Sequence, residues 1–291
     1  FMPSQAKAPA RRRTGNIATK FSSGPRYLAR QLGILAFDRR VLAQAADPQV
    51  PLLERLRFLC IVSSNLDEFF EIQVAEMMEY VHMGWDFGHA DEAKPEDVLR
   101  EVGRQAHVLV MEQYRLLNEE IFPALARESI EFLGEADWNS EQRAWLHDYF
   151  RREMIPVLTP IGLDPSHPFP RVLNKSLNFA VQLEGRDAFG RNSGTAIVQA
   201  PRVLPRIIEL PARLAPGGIR MVLLTSVLQA FVGALFEGMN IIGSYPFRVT
   251  RNSDLFLDEE EIKDLRAALQ GELPQRHYGD AVRLEIATGC P

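Results

Sequence analysis

The chain has 291 residues, 46% of them apolar and 24% charged, with a formal net charge of −5. That is globular composition with material for a sizeable core, and the length points to about two domains, since single cores stop growing near ~250 residues. A mildly acidic chain does not read as a general polyanion binder, and no run approaches the ~18 apolar residues of a membrane span.

Residues 1–24 are rich in Ala, Pro, Arg, Ser and Gly and read as a disordered tail, with Met2 as the native start and no apolar core of a secretory signal. The triplet Arg11-Arg12-Arg13 reads as solvated tail charge. Residues 25–125 read as helical. Tyr27 to Ala46 carries Leu28, Leu32, Leu35, Val41 and Leu42 at helical spacing, and Asp47-Pro48 marks a turn. Leu52 to Val62 places Leu52, Leu56, Leu59 and Cys60 on one face, which predicts a buried Cys60 thiol. Two serines and Asn65 then interrupt the pattern before a helix starts at Leu66. Gly84 to Ala93 is a break, and Pro95 suits a first helical position, with Glu96 and Asp97 at the positive end of the dipole. Val98, Val102, Ala106, Leu109, Gln113, Leu116 and Ile121 carry this last helix to about Phe122-Pro123.

Residues 126–291 have mixed texture. Ser140 to Phe150 reads as a helix with Ser140 as N-cap. Pro156, Pro160, Pro165, Pro168 and Pro170 stud a loop. Ser176 to Leu183 alternates as a strand, with further strands at Ala196 to Gln199, Met221 to Leu224, Phe247 to Thr250 and Val282 to Ile286. Asp258 to Glu261 opens a capped helix that Gly271 ends. Cys60 and Cys290 form no C-x-x-C or His/Cys cluster, which fits a reducing cytoplasm and argues against zinc.

Three blocks carry the chemical interest. The first is Ser63 to Phe70, S-S-N-L-D-E-F-F. The amide of Asn65 offers a donor and an acceptor, the pairing that matches an adenine edge. From spacing alone a helix cap shared with Glu68 is the favoured reading. The second is L-T-P-I-G-L-D-P-S-H-P-F-P-R-V-L-N-K-S-L-N, Leu158 to Asn178. Asp164 and His167 fall short of the about three protein ligands a catalytic metal takes, and a rigid loop is favoured. The third is Y-P-F-R-V-T-R-N-S-D-L from Tyr245, with Q-R-H-Y-G-D-A-V-R-L-E-I from Gln275. Arg248, Arg251, Arg276 and Arg283 could line an anionic path or form strand-face ion pairs with Asp254, Asp280 and Glu285. No phosphate-binding Gly-rich loop, protein-kinase set or nucleophile elbow is present.

Together these blocks resemble the long, histidine-phosphorylating polyphosphate kinases. That family shows I-E-R-x-R-F-L before S-N-L-D-E-F, then T-P-x-x-x-D-P-x-H-P-F-P-x-x-x-N-x-S-L-N, then F-R-x-T-R-x-x-D and R-x-G-x-x-V-R-L-E. The first helix departs from the family text, with Gln31 for a glutamate and Ile34 for a tryptophan. The resemblance implies an α+β multidomain fold, an all-helical N-terminal domain followed by a mixed α/β head domain that is incomplete here. It implies a parent enzyme that reversibly transfers the terminal phosphate of ATP to inorganic polyphosphate through a phosphohistidine. Asn65 maps to an asparagine that contacts ATP. The phosphorylated histidine, the magnesium-associated arginines and most ATP contacts belong to two phospholipase D-like domains beyond residue 291. The expectation is therefore no catalytic residue and no metal ligand in this chain, and no activity in isolation. Implied partners are ATP or ADP, polyphosphate and a second copy as a homodimer, with no nucleic acid. The implied location is cytoplasmic, with peripheral membrane association left open. The alternative is a stand-alone nucleotide-binding or oligomerisation module without catalysis.

Overall fold

The computed structural model describes residues 28–84, 93–164, 166, 168–185, 194–253 and 279–291. The tail, His167, Asp254, Arg276 and the helix expected from Asp258 lie outside the described residues.

The first half is a helical bundle. Helix α1 (Arg30–Ala46) turns at Asp47, whose Oδ1 accepts from the Gln49 backbone N–H at 2.8 Å, and returns as α2 (Leu52–Glu68). The expected break at Ser63–Asn65 is absent. Leu59, Val62 and Leu66 are buried, so the apolar stripe of α2 runs straight through the polar residues, and burial outweighs their weak local preference for other conformations. Asn65 therefore lies inside a helix and caps nothing. Cys60 is exposed, one residue round from Leu59, which corrects the expected buried thiol.

At Phe69–Val74 the rod widens into a π-helical turn, then resumes as α3 (Ala75–His82). Pro95 begins α4 (Pro95–Arg115), which buries Val98, Val102, Ala106, Leu109 and Gln113 and packs on α1 and α3. The buried Gln113 donates through Nε2 to the Leu59 carbonyl and to Ser63 Oγ, both at 2.7 Å. A second π turn, Leu116–Ile121, leads into α5 (Phe122–Arg127). The helix thus passes beyond Pro123, because the wide turn before it leaves room for a residue with no N–H to donate.

The second half contains two sheets. Strand β1 (Ile130–Leu133) pairs in parallel with β6 (Ile219–Leu223), which pairs antiparallel with β5 (Ile207–Glu209). The larger sheet is antiparallel in the order β2 (Thr159–Gly162), β4 (Thr195–Ala200), β3 (Leu177–Glu184), β7 (Asn240–Arg251), β8 (Ala281–Ile286). Strand β2 takes up Pro160, which was expected in a loop; an edge position tolerates a residue without a backbone donor. Helix α6 (Ser140–Tyr149) is capped by Asn139 and not by Ser140: the Asn139 side chain accepts from the Gln142 N–H, and Gln142 Oε1 accepts from the Asn139 N–H. Helix α7 (Leu224–Phe231) packs with α6 over one face of the larger sheet, where Phe179, Val181, Val198, Phe150 and Leu228 form the core.

Strand β8 turns its charged residues inward. Its alternation is real, but Leu284 and Ile286 are 62% and 57% exposed, while Arg283 and Glu285 turn inward. The inward residues meet the helical half of the molecule, which presents charge there.

Candidate functional site

The three motif blocks, distant in sequence, meet around α2 and the π turn that follows it. Positions 65 and 67 are separated by roughly 200° around a helix, so they face opposite sides, whereas 67 and 71 lie close to one face. The side chains follow that geometry. Asn65 turns toward α1, and its Nδ2 donates to Asp38 Oδ1 at 2.8 Å. Asp67 and Glu71 turn toward the larger sheet.

Asp38 is an unusual residue for its place. It shares the buried face of α1 with Leu35, Leu42 and Ala45 and is 0% exposed. Burial pushes its carboxyl above the ordinary carboxylate value, and the Asn65 hydrogen bond pulls it partly back. Beside this pair opens a cavity of about 280 Å³. Ile34, Phe37, Phe69 and Ile72 give it apolar walls, and Asn65, Asp38, Gln73, Arg30 and Glu68 give it polar and charged ones. A cavity that combines apolar walls with convergent polar groups is the usual character of a small-molecule site.

The opposite side of the rod is a joint. Arg248 on β7 reaches Asp67 with a two-pronged fork, Nη1 to Oδ2 at 2.9 Å and Nη2 to Oδ1 at 2.8 Å, and donates through Nε to Glu285 Oε2 at 2.7 Å. Burial alone would depress the Arg248 guanidinium's pKa, and the carboxylates of Glu285 and Asp67 together reverse this and raise it. Arg283 sits 3.1 Å from Glu285 with its guanidinium 4.7 Å from the Phe70 ring centre; burial lowers its pKa, and Arg248 adds to that. Both remain charged at any ordinary pH. Glu71 completes the joint. Its carboxylate accepts from Asn174 Nδ2 and, at 2.7 Å, from Lys175 Nζ, and its carbonyl accepts from the Ser253 N–H at 3.3 Å. Lys175 holds a positive φ of 56° there, a conformation that lets the short N-K-S turn present both side chains to one carboxylate.

Sequence comparison agrees with this architecture. Residues 27–133 match the polyphosphate kinase N-terminal domain and residues 141–291 the polyphosphate kinase middle domain. The chain belongs to the polyphosphate kinase family. It is 57% identical over 266 residues to a polyphosphate kinase of Neisseria gonorrhoeae, covering 91% of this chain and 39% of that protein. It is 55% identical over 264 residues to one of Burkholderia lata, covering 91% of this chain and 38% of that protein. The fold resembles the crystal structure of polyphosphate kinase from Porphyromonas gingivalis, with a TM-score of 0.68, 23% identity, and coverage of 88% of this chain and 39% of that one. The chain thus spans about two fifths of the length of the relatives it matches. The family assignment and the α+β arrangement, helices first and mixed sheets after, accord with the sequence reading.

Two further motif residues of this polyphosphate kinase region, Asp164 and Arg251, have structural partners. Asp164 Oδ1 accepts from the Ser166 N–H at 2.9 Å and from Ser166 Oγ at 2.8 Å, a local turn. Arg251 spends its guanidinium on the carbonyls of Val172 and Gly279, at 3.0 and 2.8 Å. A second cavity, of about 400 Å³, lies between α2, α4 and strands β7 and β8. Its cations, Arg248 and Arg283, are matched by Glu285 and the adjacent Asp67, which leaves no surplus positive charge for a phosphate. That second cavity also holds an amide, Gln113, but its Nε2 is spent on the Leu59 carbonyl and Ser63 Oγ, whereas Asn65 spends one Nδ2 hydrogen on Asp38. Among the described residues no group of three His, Cys, Asp or Glu side chains is arranged to hold a metal, and no helix is long and apolar enough to cross a membrane.

Sequence reasoning passed over Asp38, Asp67 and Glu71. A signal was present for each. Asp38 stands between Leu35 and Leu42 at apolar spacing, and Asp67 and Glu71 form an i, i+4 acidic pair around two phenylalanines.

Proposed function

We propose that this chain is the front part of an enzyme that reversibly transfers the terminal phosphate of ATP to inorganic polyphosphate through a phosphohistidine carried outside these residues. Its own task is to seat the adenine end of ATP at Asn65 and to hold the head domain in fixed relation to that seat. The domains divide near residue 126, after a tail over 1–24. Magnesium acts with the phosphates and is held by residues outside this chain, so the chain alone transfers no phosphate. The head supports a homodimer, a reading supported by the exposed apolar strip of Leu284 and Ile286 on edge strand β8. The enzyme works in the cytoplasm.

The observation that carries the proposal is the placement of Asn65. It lies inside a helix, spends one Nδ2 hydrogen on Asp38, and lines a cavity of mixed polar and apolar walls, about 280 Å³ in volume. Because it caps no helix, Asn65→Ala removes the amide without removing a cap, and its effect on ligand binding can be read separately from helix stability. In the full-length protein the substitution is expected to weaken ATP binding about tenfold, within the range for a lost bidentate base contact. Unchanged ATP affinity in Asn65→Ala would refute the assignment.

A further inference from the structure

We propose that Asp38 is a positioning residue that fixes which end of the Asn65 amide meets the base, and so makes the site prefer a purine that donates at its exocyclic position over one that accepts there. The inference rests on the reading that Asn65 faces the base of ATP.

A carboxamide has two ends of nearly equal shape and opposite chemistry. Left alone, it rotates by half a turn to suit either kind of ligand. Asp38 removes that freedom. An ionised carboxylate only accepts, so only the Nδ2 end of Asn65 can approach it, and that end lies 2.8 Å away. The second oxygen, Asp38 Oδ2, is fully buried and has no hydrogen-bond partner, so the one bond that Asp38 makes from its side chain is spent on orienting this amide. Such a group carries a cost that packing alone does not explain: an aliphatic residue at the same place on α1, between Leu35 and Leu42, would bury without it.

With Nδ2 held, the outward chemistry of Asn65 is defined. Oδ1 is left to accept, and the second Nδ2 hydrogen is left to donate. Adenine matches that order, with an exocyclic amine to donate and a ring nitrogen to accept. Guanine presents a carbonyl where adenine has its amine, so Oδ1 would face oxygen. The apolar walls of Ile34, Phe37, Phe69 and Ile72 carry no hydrogen-bonding side-chain group with which to tell the two rings apart. Gln73 lines the same cavity as a second amide, with its Oε1 buried and without a partner, so the preference assigned here is the share set by Asn65, whose orientation Asp38 fixes.

The test is equilibrium binding of ATP and of GTP to the full-length protein, with both nucleotides measured on the same preparation so that their ratio is insensitive to loss of folded material. Asp38→Leu frees the amide to turn and is expected to lower the ATP-to-GTP affinity ratio by about tenfold. Asp38→Asn keeps the side-chain shape but pairs with either end of Asn65, and the ratio falls there too. In an Asn65→Ala background neither change at position 38 moves the ratio further. An unchanged ratio in either Asp38 variant, while Asn65→Ala still weakens ATP, overturns this inference and leaves the Asn65 site standing. Undiminished ATP binding in Asn65→Ala overturns both.

Discussion

Replacing Arg248 by methionine keeps most of the side-chain stem and removes the cation from the joint between the helices and the larger sheet. Arg248 makes three hydrogen bonds to two carboxylates. Bonds to charged groups contribute roughly 1.5–3 kcal/mol each, but these three share one desolvation, so the cost of breaking a buried pair, roughly 3–5 kcal/mol, is the better ceiling. The side chains keep 31%, 17% and 28% exposure for Arg248, Asp67 and Glu285, and water offsets part of the loss. Arg283 also remains beside Glu285 at 3.1 Å, so most of the damage falls on Asp67. The expected destabilisation is about 2–3 kcal/mol. Urea unfolding of the 291-residue chain in a Trp85→Phe background measures it, followed by helical circular dichroism and by tryptophan fluorescence, since the two remaining tryptophans, Trp138 and Trp145, belong to the head core. A double-mutant cycle with Asp67→Asn should return a coupling of at least ~1 kcal/mol. In Arg248→Met the two probes should report separated midpoints, because each half has lost its grip on the other. A coupling under ~0.5 kcal/mol with coincident midpoints would show that the fork is ornamental and that apolar packing holds the halves together.

Two further outcomes follow from single residues. A Cβ added at Gly218 would fall on the carbonyl oxygen of Ser129, which is also the acceptor for the Ile219 N–H at 2.8 Å where β1 and β6 begin to pair. Ser129 is itself held at a φ of 62°, so the backbone has little room to yield, and Gly218→Ala should cost about 2 kcal/mol in the urea midpoint; a change under ~0.5 kcal/mol would contradict the clash. Asp38 gives a pH signature of definite sign. Its native pKa is raised by burial above the 3.8 of an ordinary aspartate, so between those two values the native chain holds a proton that the unfolded chain has lost. The charged, buried carboxylate therefore lowers stability near neutral pH, and the penalty is relieved as pH falls through the native pKa toward 3.8. Relative to Asp38→Asn, the parent chain should gain stability as pH is lowered from about 7 to about 4. A gap that moves the other way in parallel urea titrations would mean that the carboxylate is better solvated than its burial implies.

How far the sequence revealed this depended on which interaction decides each element. Helices α1 and α4 were legible because their stripes, Leu35 to Leu42 and Val98 to Leu109, recur at the helical period over several turns. The continuity of α2 was not, because Ser63, Ser64 and Asn65 favour breaks locally, and only the burial of Leu59, Val62 and Leu66 by neighbouring helices overrides them. Strand β8 shows a different limit. Alternation tells which residues share a face but not which face is covered. Here the covering element is the π turn after α2, where Arg283 lies over Phe70 and Glu285 pairs with Arg248 and Arg283, so Arg283 and Glu285 go in and Leu284 and Ile286 go out. The short strands β1 and β5, of four and three residues, hold too few positions to show a period at all. At the candidate site Asn65 was visible as a chemically apt side chain. Its partner Asp38, 27 positions earlier, was not, because a lone acid in an apolar stripe has no meaning until the helix opposite is known.

The closeness of Asn65 and Asp67 has a mechanical meaning. Two residues occupy roughly 3 Å of helix axis, so whatever rests against the amide and whatever pulls on the fork act on one stiff lever with almost no length between load points. The wide turn at Phe69–Val74 extends that lever to Glu71, gripped by Asn174 and Lys175. A tilt of the larger sheet would then reach the cavity beside Asn65 as a rotation of its wall, with little slack to absorb it.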